Sequence, residues 1–149
     1  MPKIDTDLWR WYHNVSECHY HIQITIKFRK AVLEPHVIET ILETLKGFKE
    51  RFAIHIYKIG FDENHVHILC QFLPTHSGGE VIGMIKKLTA RPCLQIPSVK
   101  EQLWGGSFWT DGYYIGTVSN RGSKETIDRY IEKQGRKPQE IQLKLFDLE

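Results

Sequence analysis

A chain of 149 residues, 41% hydrophobic and 26% charged, has the length and balance of one globular domain with a sizeable core and too few residues for two comfortable ones. Its formal net charge of +2 excludes strong polyanion binding by bulk charge alone, so a nucleic-acid argument must rest on local basic clusters. Three scattered cysteines, Cys18, Cys70 and Cys93, give neither a disulfide framework nor a zinc signature, which fits a reducing, cytoplasmic setting; Asp5, Asp7 and Arg10 stand where a signal peptide needs an apolar run, and no stretch reads as a membrane span.

Residues 1–18 are polar and aromatic, with Trp9, Trp11 and Tyr12 and no clear period; they read as an N-terminal arm. Tyr20, Ile22, Ile24, Ile26 and Phe28 then alternate with His19, His21, Gln23, Thr25 and Lys27, the pattern of a half-buried strand. It runs into the basic cluster Lys27, Arg29 and Lys30. Pro35 suits a first helical turn, and Val37, Ile38, Ile41, Leu42, Leu45 and Phe48 recur at helical spacing to about residue 50. Phe52 to Phe61 reads as a strand, and a turn at 62–64 joins it to a second strand, Asn64 to Cys70, as a hairpin. Pro74 ends that strand and Ser77-Gly78-Gly79 loosens the chain. Glu80 to Ala90 is a second amphipathic helix, with Lys86, Lys87 and Arg91 on its polar side and Pro92 and Pro97 closing it. Residues 98–112 look irregular; Trp104, Phe108 and Trp109 within them suit packing. Tyr113 to Val118 reads as a fourth strand. After the turn Asn120-Arg121-Gly122, Ser123 can cap a third helix at 124–134, which Gly135 stops. The order implies an α+β fold: a ferredoxin-like, RRM-like antiparallel sheet (β-α-β-β-α-β) plus a C-terminal helix. Three segments follow, an arm at 1–18, a domain at 19–135 and a tail at 136–149.

The candidate chemistry begins at His65-Val66-His67. On a strand these two imidazoles share a face, about 7 Å apart along the chain, and can act as two ligands of one metal ion; they can also be two histidines on a solvated face. His19-Tyr20-His21 has the same spacing, so the pair alone does not choose. On the third helix, Tyr130 and Gln134 are four apart and share a face, while Ile127 and Ile131 share another. Gln134 can supply an oxygen ligand and Tyr130 a phenolic oxygen beside it. Taken alone, the two read rather as an exposed tyrosine and glutamine on a charged helix.

His65-Val66-His67 followed by Tyr130-x-x-x-Gln134 resembles the HUH (His-hydrophobic-His) single-tyrosine transposases of small insertion sequences, the TnpA type. The resemblance extends over about residues 19 to 134. It takes in Ile26-Lys27-Phe28-Arg29, Asp62 to Leu69, Leu103 to Trp109 and Thr126 to Gln134, with Phe28 replacing a common tyrosine. It selects His65/His67 over His19/His21. It implies a transposase that cleaves and rejoins single-stranded DNA at insertion-sequence hairpin ends. Tyr130 would be the nucleophile of a 5′-phosphotyrosine intermediate, and His65, His67 and Gln134 the metal ligands. Mg²⁺ suits the phosphate and the Gln134 oxygen, the imidazoles tilt toward Mn²⁺, and zinc fits less well without a cysteine. A homodimer is implied, with active sites shared between subunits. DNA contacts are expected from Lys27, Arg29, Lys30, Lys86, Lys87, Arg91, Arg129 and Lys133. Two other readings stand beside this one: a ferredoxin-like module that grips single-stranded nucleic acid without cutting it, and a domesticated or replication-type HUH nuclease.

The tail holds Gln142-Leu143-Lys144-Leu145-Phe146, which resembles the short peptide by which bacterial proteins dock on the replication sliding clamp. Paired apolar anchors in an extended tail suit such a groove. The other reading is a tail that folds back on its own domain or on a partner.

Overall fold

A computed structural model of the protein describes residues 3–5, 8–11, 14–118 and 144–147; for the first two segments and the last it describes the backbone alone. The N-terminal residues, expected as an arm without regular structure, form a small meander. β1 (Lys3–Asp5), β2 (Leu8–Trp11) and β3 (Asn14–Ser16) pair antiparallel in chain order. Strands of three or four residues hold too few alternations for a period to show in the sequence.

The main sheet begins with β4 (His19–Thr25). The predicted alternation persists to Ile26, which bridges to Trp109, and then fails. Lys27–Arg29 close a single 3-10 turn with Phe28 at φ 58° and Arg29 at φ 53°. Phe28, expected on the core face, is instead 73% exposed. α1 (Pro35–Leu45) carries proline in its first turn as expected, but it stops before residue 50. Gly47 at φ 85° takes the left-handed conformation that ends helices, and the short α2 (Phe48–Phe52) follows. β5 (Ile54–Phe61) and β6 (His65–Phe72) form the expected hairpin, with a bulge in β5 between Ile56 and Lys58.

α3 (Gly78–Cys93) starts earlier than its periodicity suggests. Ser77 caps it, its hydroxyl oxygen accepting the Glu80 N–H at 3.1 Å, so the glycine pair lies in the first turn rather than in a loop. Pro92 sits inside the last turn, and Pro97 opens a short α4 (Pro97–Gln102) in the stretch expected to be irregular. β7 (Tyr114–Val118) and β8 (Lys144–Asp147) complete the sheet.

The sheet order is β7-β4-β6-β5-β8 and every pairing is antiparallel. Without β8 this is the expected ferredoxin-like sheet, with α1 and α3 as its two helices. Ile22, Ile24, Val66, Ile68, Ile54 and Ile59 pack with Val37 and Ile41 of α1 and Val81 and Ile85 of α3 in one core. Each such aliphatic side chain contributes roughly 1.5–3 kcal/mol by leaving water. That core fixes the helical side of the sheet. The opposite face is held rigid behind it.

Candidate active site

Strand side chains alternate, so the residues between the core positions share the other face. β4 supplies His19, His21, Gln23 and Thr25, β6 supplies His65, His67, Leu69 and Gln71, and β5 supplies His55 and Tyr57. The register sets Thr25 opposite His65 and Gln23 opposite His67, with Gly60 of β5 on the far side of His67. Five of the chain's eight histidines therefore lie on one surface. It is not a solvated one: His67 is fully buried, and His19, His21 and His55 are each under 10% exposed.

His65 and His67 lie side by side, ring centroids 4.9 Å apart and nearly perpendicular. The His65 Nδ1–H donates to the Asn64 side-chain oxygen at 2.8 Å. An amide oxygen can only accept, so Nδ1 carries a proton and Nε2 is the nitrogen left to face a ligand. The Asp62 carboxylate stands 3.8 Å from that Nε2. His67 Nδ1 is 3.1 Å from His21 Nε2, with the two rings stacked at 5.3 Å. The pair that the sequence left as a rival is thus a neighbour. His21 reaches across from β4 to hold His67, and His19 sits further along, its Nδ1 3.0 Å from the Tyr57 hydroxyl.

Burial, then His65, then His21 push the His67 pKa down to about 3, and burial lowers that of His21. His67 is therefore a neutral imidazole at ordinary pH. Two imidazoles, each engaged through Nδ1, can offer their Nε2 atoms to a divalent ion, and hydrogen bonds on the far nitrogen are the usual support of a histidine ligand. The residues fit such an ion. Among the described residues no group of three or more histidine, cysteine, aspartate or glutamate side chains forms a metal cluster. The expected third ligand, Gln134, is of none of these types. It lies outside the described residues, as does Tyr130.

The basic residues separate into groups. Lys27, Arg29 and Lys30 lie just beyond the end of β4 that pairs with His65, and the Lys27 ammonium sits 5.5 Å from the Phe28 ring. Lys86 is spent internally: its ammonium donates to the carbonyl oxygens of Thr110 at 2.7 Å, Asp111 at 3.3 Å and Gly112 at 2.8 Å, and burial lowers its pKa. Lys87 and Arg91 are exposed on α3, the helix that covers the apolar side of the sheet, away from the histidines. Arg129 and Lys133 lie outside the described residues.

Of the three aromatics read as packing, Phe108 and Trp109 are buried, and the Trp109 indole donates to Thr89 Oγ1 at 3.0 Å. Trp104, by contrast, is 87% exposed. Sequence reasoning missed Asn64, Asp62 and His21 as supports of the pair. The turn Asp62-Glu63-Asn64 abutting His65 was the one visible signal. In the tail, the backbone of 144–147 pairs with β5, Leu145 opposite Gly60 and Phe146 opposite Ile59, while Gln142 and Leu143 lie outside the described residues. Among the described residues no helix is long and apolar enough to cross a membrane.

Residues 14–134 match the family described as Transposase IS200 like. The ISDra2 transposase TnpA of Deinococcus radiodurans is 29% identical over 121 residues, 80% of this chain and 86% of that protein. A crystal structure of a Deinococcus radiodurans R1 protein assigned as a transposase superposes with a TM-score of 0.67 at 25% identity, over 84% of this chain and 96% of the other. A REP-associated tyrosine transposase solved with a REP hairpin shares the fold, with a TM-score of 0.62 at 13% identity, over 83% of this chain and 69% of the other.

Proposed function

The chain belongs to the IS200-like transposase family, and from that premise we propose that it cuts and rejoins single-stranded DNA at hairpin-bearing element ends through Tyr130. The observation that carries this reading is the pair of half-buried His65 and fully buried His67, each held through Nδ1. The chain's connectivity supports it. β7 ends at residue 118 on one edge of the sheet and β8 begins at residue 144 on the other. Tyr130 and Gln134 stand near the middle of the intervening segment, and the strand carrying His65 and His67 stands at the middle of the sheet order. The relative solved with a REP hairpin supports a hairpin as the recognised element.

In the proposed reaction the Tyr130 hydroxyl oxygen attacks the scissile phosphorus. The phosphorus–O3′ bond breaks, the phenol loses its proton, and the departing oxygen gains one to become a 3′-hydroxyl. The 5′-phosphotyrosine keeps the bond energy, so a second 3′-hydroxyl can attack it, restore the phosphodiester and return the phenol without ATP. His65, His67 and Gln134 would hold a Mg²⁺ or Mn²⁺ ion; bound there, such an ion supplies positive charge for the phosphate oxygens. A phenol with an ordinary pKa near 10 is mostly protonated at neutral pH, so the reaction needs help of that kind. Lys27, Arg29 and Lys30 are the cations best placed to meet the DNA backbone.

The test is incubation of the protein and Mn²⁺ with the hairpin-bearing single strands that flank its gene, read on a denaturing gel. Wild type is expected to form a protein–DNA adduct that EDTA abolishes, while Tyr130→Phe forms none and still binds the hairpin. An adduct with Tyr130→Phe overturns the assignment; binding without any adduct in wild type leaves a DNA-binding module. Shared active sites belong to the same proposal: mixing His65→Ala with Tyr130→Phe subunits is expected to restore the adduct, and failure to do so places both halves within one chain.

A further inference from the structure

Beside the histidine pair, at the β4–β7 edge of the sheet, lies a cavity of about 360 Å³. Its walls include Gln23, Thr25, Arg29, Thr110, Tyr113 and Tyr114. The volume falls at the low end of small-molecule sites, roughly 300–1,000 Å³. Its position is set by register: Gln23 is the residue opposite His67 and Thr25 the residue opposite His65. On its other side Gln23 pairs with Tyr114. The cavity is therefore one strand spacing, about 4.8 Å, from the strand carrying the imidazoles.

The cavity is built rather than incidental. Its far rim, residues 110–112, has no regular structure of its own and is held by two devices. The Lys86 ammonium gathers the three carbonyl oxygens of that rim, and the Thr110 N–H donates to the Thr25 carbonyl at 2.8 Å. The Tyr114 ring lies along its own strand over Gly116: a Cβ added to Gly116 would come within 2.5 Å of the phenolic oxygen. The ring stands edge-on to His21, with ring centroids 5.6 Å apart. Although packed in this way, Tyr114 is 55% exposed and Tyr113 52% exposed. Arg29, which lines the cavity, and Phe28 before it both take left-handed backbone conformations, a cost that folds keep at functional positions. No ion pair engages Arg29 among the described residues.

The contents of the walls identify the ligand class. A supported aromatic ring with one open face is a stacking platform. An amide and two hydroxyls give hydrogen bonds of both senses. A guanidinium at the mouth suits a phosphate. We propose that this cavity receives one unpaired base of the single strand, next to the phosphate presented to His65 and His67, with the base on Tyr114 and Arg29 on the adjoining phosphate. The proposal rests on the reading of the protein as a single-strand DNA transposase and adds to it a subsite on β4 and β7. Gln23 faces the edge of the bound base and is the residue placed to discriminate among bases.

The test separates base from backbone. In a Tyr130→Phe background, which removes the proposed covalent step, fluorescence anisotropy compares labelled dT12 with a twelve-unit abasic deoxyribose-phosphate strand. The parent is expected to prefer dT12, and Tyr114→Ala to lose about tenfold of that preference, within the range of one stacked base. Tyr114→Phe, which keeps the ring, should retain it. Arg29→Ala should weaken both strands alike. Thermal melting of each variant shows that the fold is intact. Equal preference in parent and Tyr114→Ala overturns the subsite, as does a Tyr114→Phe variant as impaired as the alanine. Adduct formation by wild type on hairpin DNA is read separately, so a lost subsite and a lost transposase reading give different patterns.

Discussion

At the residue scale the instructive side chain is His21. The sequence offers it as half of a competing metal pair, because spacing along one strand says nothing about which strand lies next door. The antiparallel register turns competition into support: His21 Nε2 meets His67 Nδ1 at 3.1 Å, and the partner on that nitrogen leaves Nε2 as the atom the proposed ion would use. Removing such a partner typically costs 10–100-fold in metal affinity. His21→Phe, which keeps the ring stacked but cannot hydrogen-bond, is expected to weaken Mn²⁺ binding by about tenfold or more. Titration calorimetry of the DNA-free protein reads this without any turnover; unchanged affinity would make His21 a packing residue only. The cysteines make a second case. Burial pushes the Cys70 and Cys93 thiols up to about 12, so at pH 8 neither holds an appreciable thiolate, the form that reacts. Cys18 is half-buried. Iodoacetamide at pH 8 is expected to label Cys18 alone in the native protein and all three once it is unfolded, as counted by mass spectrometry.

At the element scale, periodicity located every long strand and helix of the main fold that the structure describes, and it failed where a single residue overrode it. The first helix ends at Leu45 because Gly47 takes φ 85°. The strand pattern that begins at His19 fails after Ile26 because Phe28 and Arg29 turn at positive φ. The second helix begins at Gly78 because Ser77 caps it, which outweighs two glycines in its first turn. Backbone conformation is not written in hydrophobic pattern, and a cap is legible only once the helix it starts is known. Two substitutions test these local rules. Gly47→Ala forces a Cβ into the left-handed region, a cost of about 1–2 kcal/mol. Melting should fall by roughly 2–8 °C for a chain of this size, and no change would show that the helix break is set elsewhere. Gly116→Ala acts through the strand rather than through stability. The new methyl must displace the Tyr114 phenol, so this variant should lose the same preference for dT12 over the abasic strand as Tyr114→Ala.

At the scale of the whole molecule, the sequence showed the sheet's two faces but not its edges. Alternation in β4 and β6 separated core from histidine face, and His65-Val66-His67 pointed to the family, yet nothing local reveals that residues 144–147 return as a fifth strand. Pairing between positions more than eighty residues apart leaves no periodic trace. That return bears on the clamp-binding reading of the tail, because one backbone cannot pair with β5 and lie extended in a partner's groove at the same time. It also covers an edge: β5 would otherwise present its outer N–H and C=O groups to solvent, a template for association between chains. The pairing joins Lys58 to Asp147, Ile59 to Phe146, Gly60 to Leu145 and Phe61 to Lys144. A chain ending at residue 143 is therefore expected to lose hydrogen-exchange protection at the outward-facing amides of 58–61. Those of 65–72, at the centre of the sheet between β4 and β5, should stay protected. If the amides of 58–61 exchange equally in both chains, β8 does not hold that edge in solution and the tail is available to a partner; if protection also collapses in β6, the fifth strand is needed by the whole sheet, the rigid base beneath His65 and His67 included.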